Sequence, residues 1–128
     1  KHVISEMISK ISKKKIIKVK SFNHKRCFCY IDDAINIMTK LIFTEKFYNN
    51  VFNIGNPNQE ITIFNLIKKI KKIMNKNIIL KKIHFEEGSS IRRKPNIDKL
   101  EINYNNRIEF TKLDEGLKKT INWYEKNF

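Results

Sequence analysis

Three features of the sequence predict an α/β fold. Short β-branched runs alternate with longer stretches whose apolar residues recur at helical spacing. The stretch Arg26-Cys27-Phe28-Cys29-Tyr30-Ile31-Asp32-Asp33 reads as a strand that carries a cation to a helix start, with its two aspartates where N-cap and N1 residues would sit. Twenty residues on, Phe52-Asn53-Ile54-Gly55-Asn56-Pro57 reads as a short apolar strand stopped by a turn. Gly55 is free to take positive φ there, and Pro57 cannot continue a ladder.

Taken in order, Val3, Ile4, Met7, Ile8 and Ile11 mark an amphipathic first helix that the lysines at 13 to 15 end. Ile16-Ile17-Lys18-Val19 is a strand by its β-branched content. Ser21 to Lys25 is a polar loop. A second helix is expected from about Asp33 to Phe43, with Ala34, Ile35, Ile37, Met38, Leu41 and Ile42 nearly surrounding it, so it needs cover on most sides. Val51 to Ile54 is apolar throughout, the pattern of a strand buried on both faces of a parallel sheet. The chain holds too few strands to build such a sheet, so these elements are expected to complete one supplied by further sequence.

Glu60-Ile61-Thr62-Ile63 opens a third helix, with Thr62 as its N-cap and Phe64, Leu66, Ile67, Ile70, Ile73 and Met74 as its apolar face. A strand over Ile78 to Ile83 follows, then a charged loop from Phe85 to Lys94 that contains Gly88. Pro95 starts a short helix through Leu100, a last strand lies near Arg107 to Phe110, and Leu113, Leu117, Ile121 and Tyr124 form the inward stripe of a closing helix.

Composition narrows the function. With 128 residues, 41% of them hydrophobic, the chain has one domain's length and enough apolar material for a modest core, which excludes a disordered tail. The net charge of +14 would ordinarily indicate nucleic acid or an anionic surface. Lys, Asn and Ile are all overused, however, as in an AT-rich genome, and the lysine pairs at 68–69 and 71–72 lie opposite an apolar helix face without interleaved aromatics, so they read as solvated surface. Cys27 and Cys29 would share one face of a strand, where disulfide geometry is rarely met; they read as reduced thiols of a cytoplasmic protein. His2, His24 and His84 are scattered, which excludes a metal site at ligand spacing, and no apolar run is long enough to span a bilayer.

The remaining chemistry is anion recognition. Arginine's planar fork binds phosphate or carboxylate through two parallel charge-assisted hydrogen bonds, which lysine cannot reproduce. Only four of the 27 basic residues are arginine. Three of them, Arg26, Arg92 and Arg93, fall in two short stretches: the strand just described and Ile91-Arg92-Arg93-Lys94-Pro95-Asn96-Ile97.

These stretches, with the turn at 52–57 and Gly116-Leu117-Lys118-Lys119-Thr120-Ile121-Asn122-Trp123-Tyr124, resemble extended short-chain dehydrogenase/reductases that act on nucleotide sugars, the NAD-dependent epimerase/dehydratase family. Arg-Arg-Lys-Pro is most similar to the UDP-glucuronate decarboxylase branch. The resemblance runs from about Val3 to Phe128 and implies the C-terminal, substrate-binding portion of an extended Rossmann-type enzyme. It implies that Arg26 binds the pyrophosphate of a UDP- or dTDP-linked sugar and that Tyr30 lines the sugar pocket or packs in the sheet. Arg93 would lie at the sugar carboxylate and assist the chemical step, and Arg92 would contact phosphate or solvent. For Arg93 the plainer alternative is capping of a helix carbonyl or a salt bridge to Asp98. Asp32 and Asp33 could form an acid/base pair, although consecutive carboxylates at a helix start ordinarily cap it and complement its dipole. His24 is read as an exposed loop residue or a ligand contact, and Trp123 as core or interface.

The resemblance has two departures. The loop before Arg26 is Ser-Phe-Asn-His-Lys where the family is usually glycine-rich, and Glu86-Glu87-Gly88-Ser89 lacks the arginine that epimerases and 4,6-dehydratases place there. The three glycines, Gly55, Gly88 and Gly116, make no dinucleotide-binding turn, and no tyrosine is followed four residues later by lysine. NAD is therefore expected to be bound mainly by an N-terminal domain outside this chain, the 128 residues are not expected to be active alone, and the intact enzyme is expected to be a homodimer. A 4-epimerase or 4,6-dehydratase fragment, a small basic nucleic-acid-binding module, and a poorly folding gene remnant are the alternatives.

Overall fold

A computed structural model describes residues 2–83, 88, 90–104 and 108–127. Its elements are α1 (Val3–Lys13), β1 (Ile16–Val19), β2 (Lys25–Cys27), α2 (Ile31–Ile42), a single 3-10 turn (Glu45–Phe47), β3 (Glu60–Thr62), α3 (Ile63–Ile73), β4 (Ile79–Lys82), β5 (Arg92–Arg93), α4 (Asp98–Tyr104) and α5 (Leu113–Asn127). The α/β class expected from the alternating patterns is the class observed. Strands β1 and β4 form a parallel pair, and β2 lies between β3, antiparallel to it, and β5, parallel to it.

The main core gathers around α3, whose Leu66, Ile67 and Ile70 are wholly buried against Met7, Ile8 and Ile11 of α1, Ile17 and Val19 of β1, and Leu117 and Ile121 of α5. These are the residues that helical and alternating periodicity select. Thr62 caps α3 as expected, its Oγ1 accepting from the Asn65 amide at 3.2 Å. A second, smaller core holds Ile37, Ile97, Leu100 and Ile108.

Several elements differ from the sequence reading. The strand through Arg26 ends at Cys27, and α2 begins at Ile31 with Tyr30 in the cap position, so neither aspartate is its N-cap. Asp33 instead spends its carboxylate at long range, accepting from the Thr111 amide at 2.9 Å and the Thr111 hydroxyl at 2.8 Å. The segment from Ile108 to Thr111, tied at Thr111 to Asp33, has no regular secondary structure and is not the expected last strand; Arg107 lies outside the described residues. The short helix starts at Asp98, not Pro95, because Asn96 closes a turn by accepting from the Asp98 amide at 3.0 Å. Glu60 to Thr62 is strand β3 rather than the opening of α3.

Val51 to Ile54 is not a strand, and Val51 is 84% exposed. A strand needs a partner for its amides and carbonyls, and no described strand lies beside this segment. On α2 only Ile37 is buried, while Ile31, Ile35, Met38 and Ile42 are each at least 41% exposed, as is Phe43 just beyond it. The apolar ridge read from the sequence is thus present and uncovered.

Gly55 does not take positive φ. Its missing side chain matters for a different reason: a Cβ there would come within 3.0 Å of the Pro95 ring. Asn53 completes this junction, its Nδ2 donating to the Asn96 carbonyl at 3.1 Å. Three chain reversals use non-glycine residues in the left-handed region, Ser21, Asn49 and Asn75.

Truncating the wholly buried Leu66 to alanine is expected to destabilise the chain by about 2–5 kcal/mol, while Ile42→Ala on the exposed ridge changes stability by no more than about 0.5 kcal/mol. Urea unfolding followed by circular dichroism measures both.

Candidate functional site

The three-stranded sheet assembles the arginines. Cross-strand partners point to the same face, so the register pairs of Arg26 with Ile61 on β3 and with Arg93 on β5 place the two guanidinium-bearing side chains on one face. Lys25, Cys27, Glu60 and Arg92 take the other face. Two adjacent arginines on one strand are thereby sent to opposite sides.

Their partners differ as well. Arg92 is ion-paired: its Nε donates to Glu60 Oε1 at 2.5 Å. Among the described residues, the acceptors bonded to Arg26 are neutral. Its Nη1 donates to the Lys25 carbonyl at 2.7 Å and, at 3.4 Å, to the Ile91 carbonyl, and its Nη2 donates to the Ser90 carbonyl at 2.9 Å. Burial, with Arg93 as a second cause, pushes Arg26 below the usual arginine range. Two like charges on one face, with no carboxylate among the described residues bonded to Arg26, form an arrangement that an anion would relieve.

Arg26 also borders an open cleft of about 710 Å³ with His2, Glu6, Lys20, Ser21 and His24. His24 is half-buried rather than an exposed loop residue, and its Nδ1 is buried without a hydrogen-bond partner. Tyr30 stands apart from the arginines. It packs on α5, where a Cβ at Gly116 would lie 3.3 Å from its ring, and it lines a separate small cavity of about 40 Å³ with Cys29, Thr111 and Thr120.

Both cysteines are free and half-buried. Burial raises the Cys27 thiol, with a further push from Glu60, and it raises the Cys29 thiol, with a further push from Asp33, so neither environment favours the thiolate. Among the described residues no cluster of three His, Cys, Asp or Glu could hold a metal, and no helix is long and apolar enough to cross a membrane. The residues Glu86, Glu87 and Ser89 of the loop compared with epimerases lie outside the described residues. Glu60 was not among the residues singled out by sequence: its bond to Arg92 follows from the sheet register, and no local motif signals it.

Comparison with known proteins bears on what this arrangement belongs to. Residues 1–55 match the sequence profile of the NAD dependent epimerase/dehydratase family. A curated relative, the bifunctional polymyxin resistance protein ArnA of Wigglesworthia glossinidia brevipalpis, is 35% identical over 85% of this chain and 19% of its own length. Among solved structures, dTDP-glucose 4,6-dehydratase from Bacillus anthracis in complex with NAD superposes with a TM-score of 0.81 at 21% identity, over 98% of this chain and 40% of that one. UDP-glucose 4-epimerase from Thermotoga maritima with UDP-glucose gives 0.81 at 20% identity, again over 98% and 40%. The chain thus shares a sequence profile with that family over residues 1–55 and a fold with these enzymes, and it spans about a fifth of the length of that curated relative and two-fifths of those solved structures.

The Glu60–Arg92 pair gives the site an acid limit. The Arg92 hydrogen bond holds the Glu60 carboxyl below the ordinary glutamate range. A carboxyl lowered on folding stabilises the chain above its unfolded pKa, and that contribution is lost as pH falls through the lower folded value. Thermal melts between about pH 5 and about pH 3 are expected to fall more steeply for the native chain than for Glu60→Gln, which cannot titrate there.

Proposed function

We propose that these 128 residues are the nucleotide-sugar-binding portion of an NAD-dependent, cytoplasmic nucleotide-sugar-modifying enzyme, and that the sugar is UDP-glucuronate, which the intact enzyme decarboxylates. The observation that carries this reading is the juxtaposition of Arg26 and Arg93 on one face while the intervening cation, Arg92, is neutralised by Glu60 on the other. A nucleotide sugar acid brings two anions, a pyrophosphate and a carboxylate, and the reading gives one to each arginine: Arg26 grips the pyrophosphate and Arg93 the carboxylate. The alternative partner for Arg93, Asp98, is engaged by the side-chain amide of Asn96 at 2.9 Å.

NAD, held outside these residues, supplies oxidation of the sugar C4 hydroxyl. The starts of α2, α4 and α5 do not suit the dinucleotide's pyrophosphate, because each opens on carboxylates: Asp32 and Asp33, Asp98 and Glu101, and Asp114 and Glu115. Once a ketone stands β to the carboxylate, the bond from the carboxylate to the intervening carbon breaks, CO2 leaves, and the electron pair forms an enolate with the carbonyl that is then protonated at that carbon. Arg93 orients the carboxylate so that this bond can align with the carbonyl π system. The uncovered ridge of α2 and the unpaired segment 51–54 support an upstream dinucleotide-binding portion that would bury them, in keeping with a chain that spans 40% of its solved neighbours.

Titration calorimetry tests the clamp. Arg26→Ala is expected to weaken UDP-glucuronate and UDP-glucose alike by at least about tenfold, whereas Arg93→Ala weakens UDP-glucuronate and leaves UDP-glucose within about twofold. Removing Arg93 also removes a like charge beside Arg26, so the same variant melts no lower than the native chain. Binding of duplex DNA at physiological salt, with no response to either nucleotide sugar, overturns the reading in favour of a basic nucleic-acid module.

A further inference from the structure

Strand β5 is two residues long, and both residues are arginine. Side chains alternate faces along a strand, so sliding β5 by one residue against β2 would exchange Arg92 and Arg93: the ligand-facing arginine would become the other one. With so short a ladder, the main chain holds this register weakly. Arg26 grips the approach to β5 through the carbonyls of Ser90 and Ile91, but carbonyls are the same in either register and cannot tell one arginine from its neighbour. The Pro95 approach to Gly55 and the Asn53 bond to the Asn96 carbonyl restrain the chain beyond β5 but touch neither arginine.

Glu60 can make that distinction. It stands on β3, the far edge of the sheet, opposite Cys27, and its carboxylate reaches across β2 to Arg92 on the near edge. Its side chain is only 20% exposed, against 61% for Arg92, so the acid is the fixed partner and the arginine the one recruited. We propose that Glu60 is a positioning residue that sets the register of β5, holding Arg92 on its own face and thereby presenting Arg93 beside Arg26. The proposal rests on Arg93 being the ligand-facing arginine, and it assigns to Glu60 no contact with the ligand.

The test separates the register from the ligand. In the full chain with labelled arginine, nuclear Overhauser contacts between the Arg26 and Arg93 side chains are expected in the native protein. In Glu60→Ala they weaken, and contacts between Arg26 and Arg92 arise; should Glu60→Ala fold poorly, Glu60→Gln is read in the same way. UDP-glucuronate affinity falls by about tenfold in the same variant, and the reciprocal pair Glu60→Arg with Arg92→Glu restores both the contacts and the affinity. Rescue by charge exchange is a result that a merely structural glutamate would not give. An Arg26–Arg93 contact pattern unchanged in Glu60→Ala overturns the proposal whether or not affinity falls. Failure of the native chain to bind UDP-glucuronate counts against the nucleotide-sugar reading alone, because the contact pattern still decides the register.

Discussion

The guanidinium of Arg26 ends on the main-chain carbonyls of Ser90 and Ile91, and most of what can be said about the site depends on that grip. It fastens a segment some 65 positions further along the chain to the middle strand of a three-stranded sheet, with the ladder between β2 and β5 beginning immediately beyond it. A lysine could not hold two carbonyls in one plane in this way. The residue that the proposed reading sets against pyrophosphate therefore already organises the strand that carries Arg92 and Arg93. Substituting it would disturb binding and architecture together, which is why Arg93, whose substitution leaves the sheet's ladder intact, is the more discriminating probe of the chemistry.

Much of this was legible in the sequence because it depends on local pattern. The apolar spacing of α1, α3 and α5, the β-branched run of β1 and the Thr62 cap are written within a few residues of where they act, and each is found in place. What was not legible depends on distant partners. The carboxylate of Asp33 serves Thr111, and Gln59 caps the start of α5 by accepting from the Leu113 amide at 2.5 Å; neither pairing has a local signature. Strands β3 and β5 escaped for the same reason. Three residues and two residues carry no periodicity, and they are strands only because β2 lies between them.

The exposed ridge on α2 is the converse case, in which the sequence pattern is stronger than the structure it meets. An apolar stripe that nearly surrounds a helix requires cover, and the segment Val51 to Ile54 has the composition of an interior strand without a neighbouring ladder to join. The chain packs the sides of these elements that it can reach: Ile37 and Leu41 of α2 and Phe52 and Ile54 of the segment meet α4 and the approach to α5 in the smaller core. The larger core around α3 is independent of that unpaired side, so the two halves of the molecule differ in how complete they are.

The turns have a consequence of another kind. Ser21, Asn49 and Asn75 bend the chain through the left-handed region, where glycine would do so without steric cost, and the sequence has only three glycines in all. Asparagine tolerates that geometry better than most residues, which makes it the natural substitute in a composition so rich in it; serine is less suited. Each of the three carries a small steric cost at a chain reversal, Ser21 at the rim of the cleft beside Arg26 and Asn49 and Asn75 away from it. Glycine at the exposed Asn49 and Asn75 could relieve that cost without touching a core or the cleft, so a sturdier version of this fold lies only a few substitutions away.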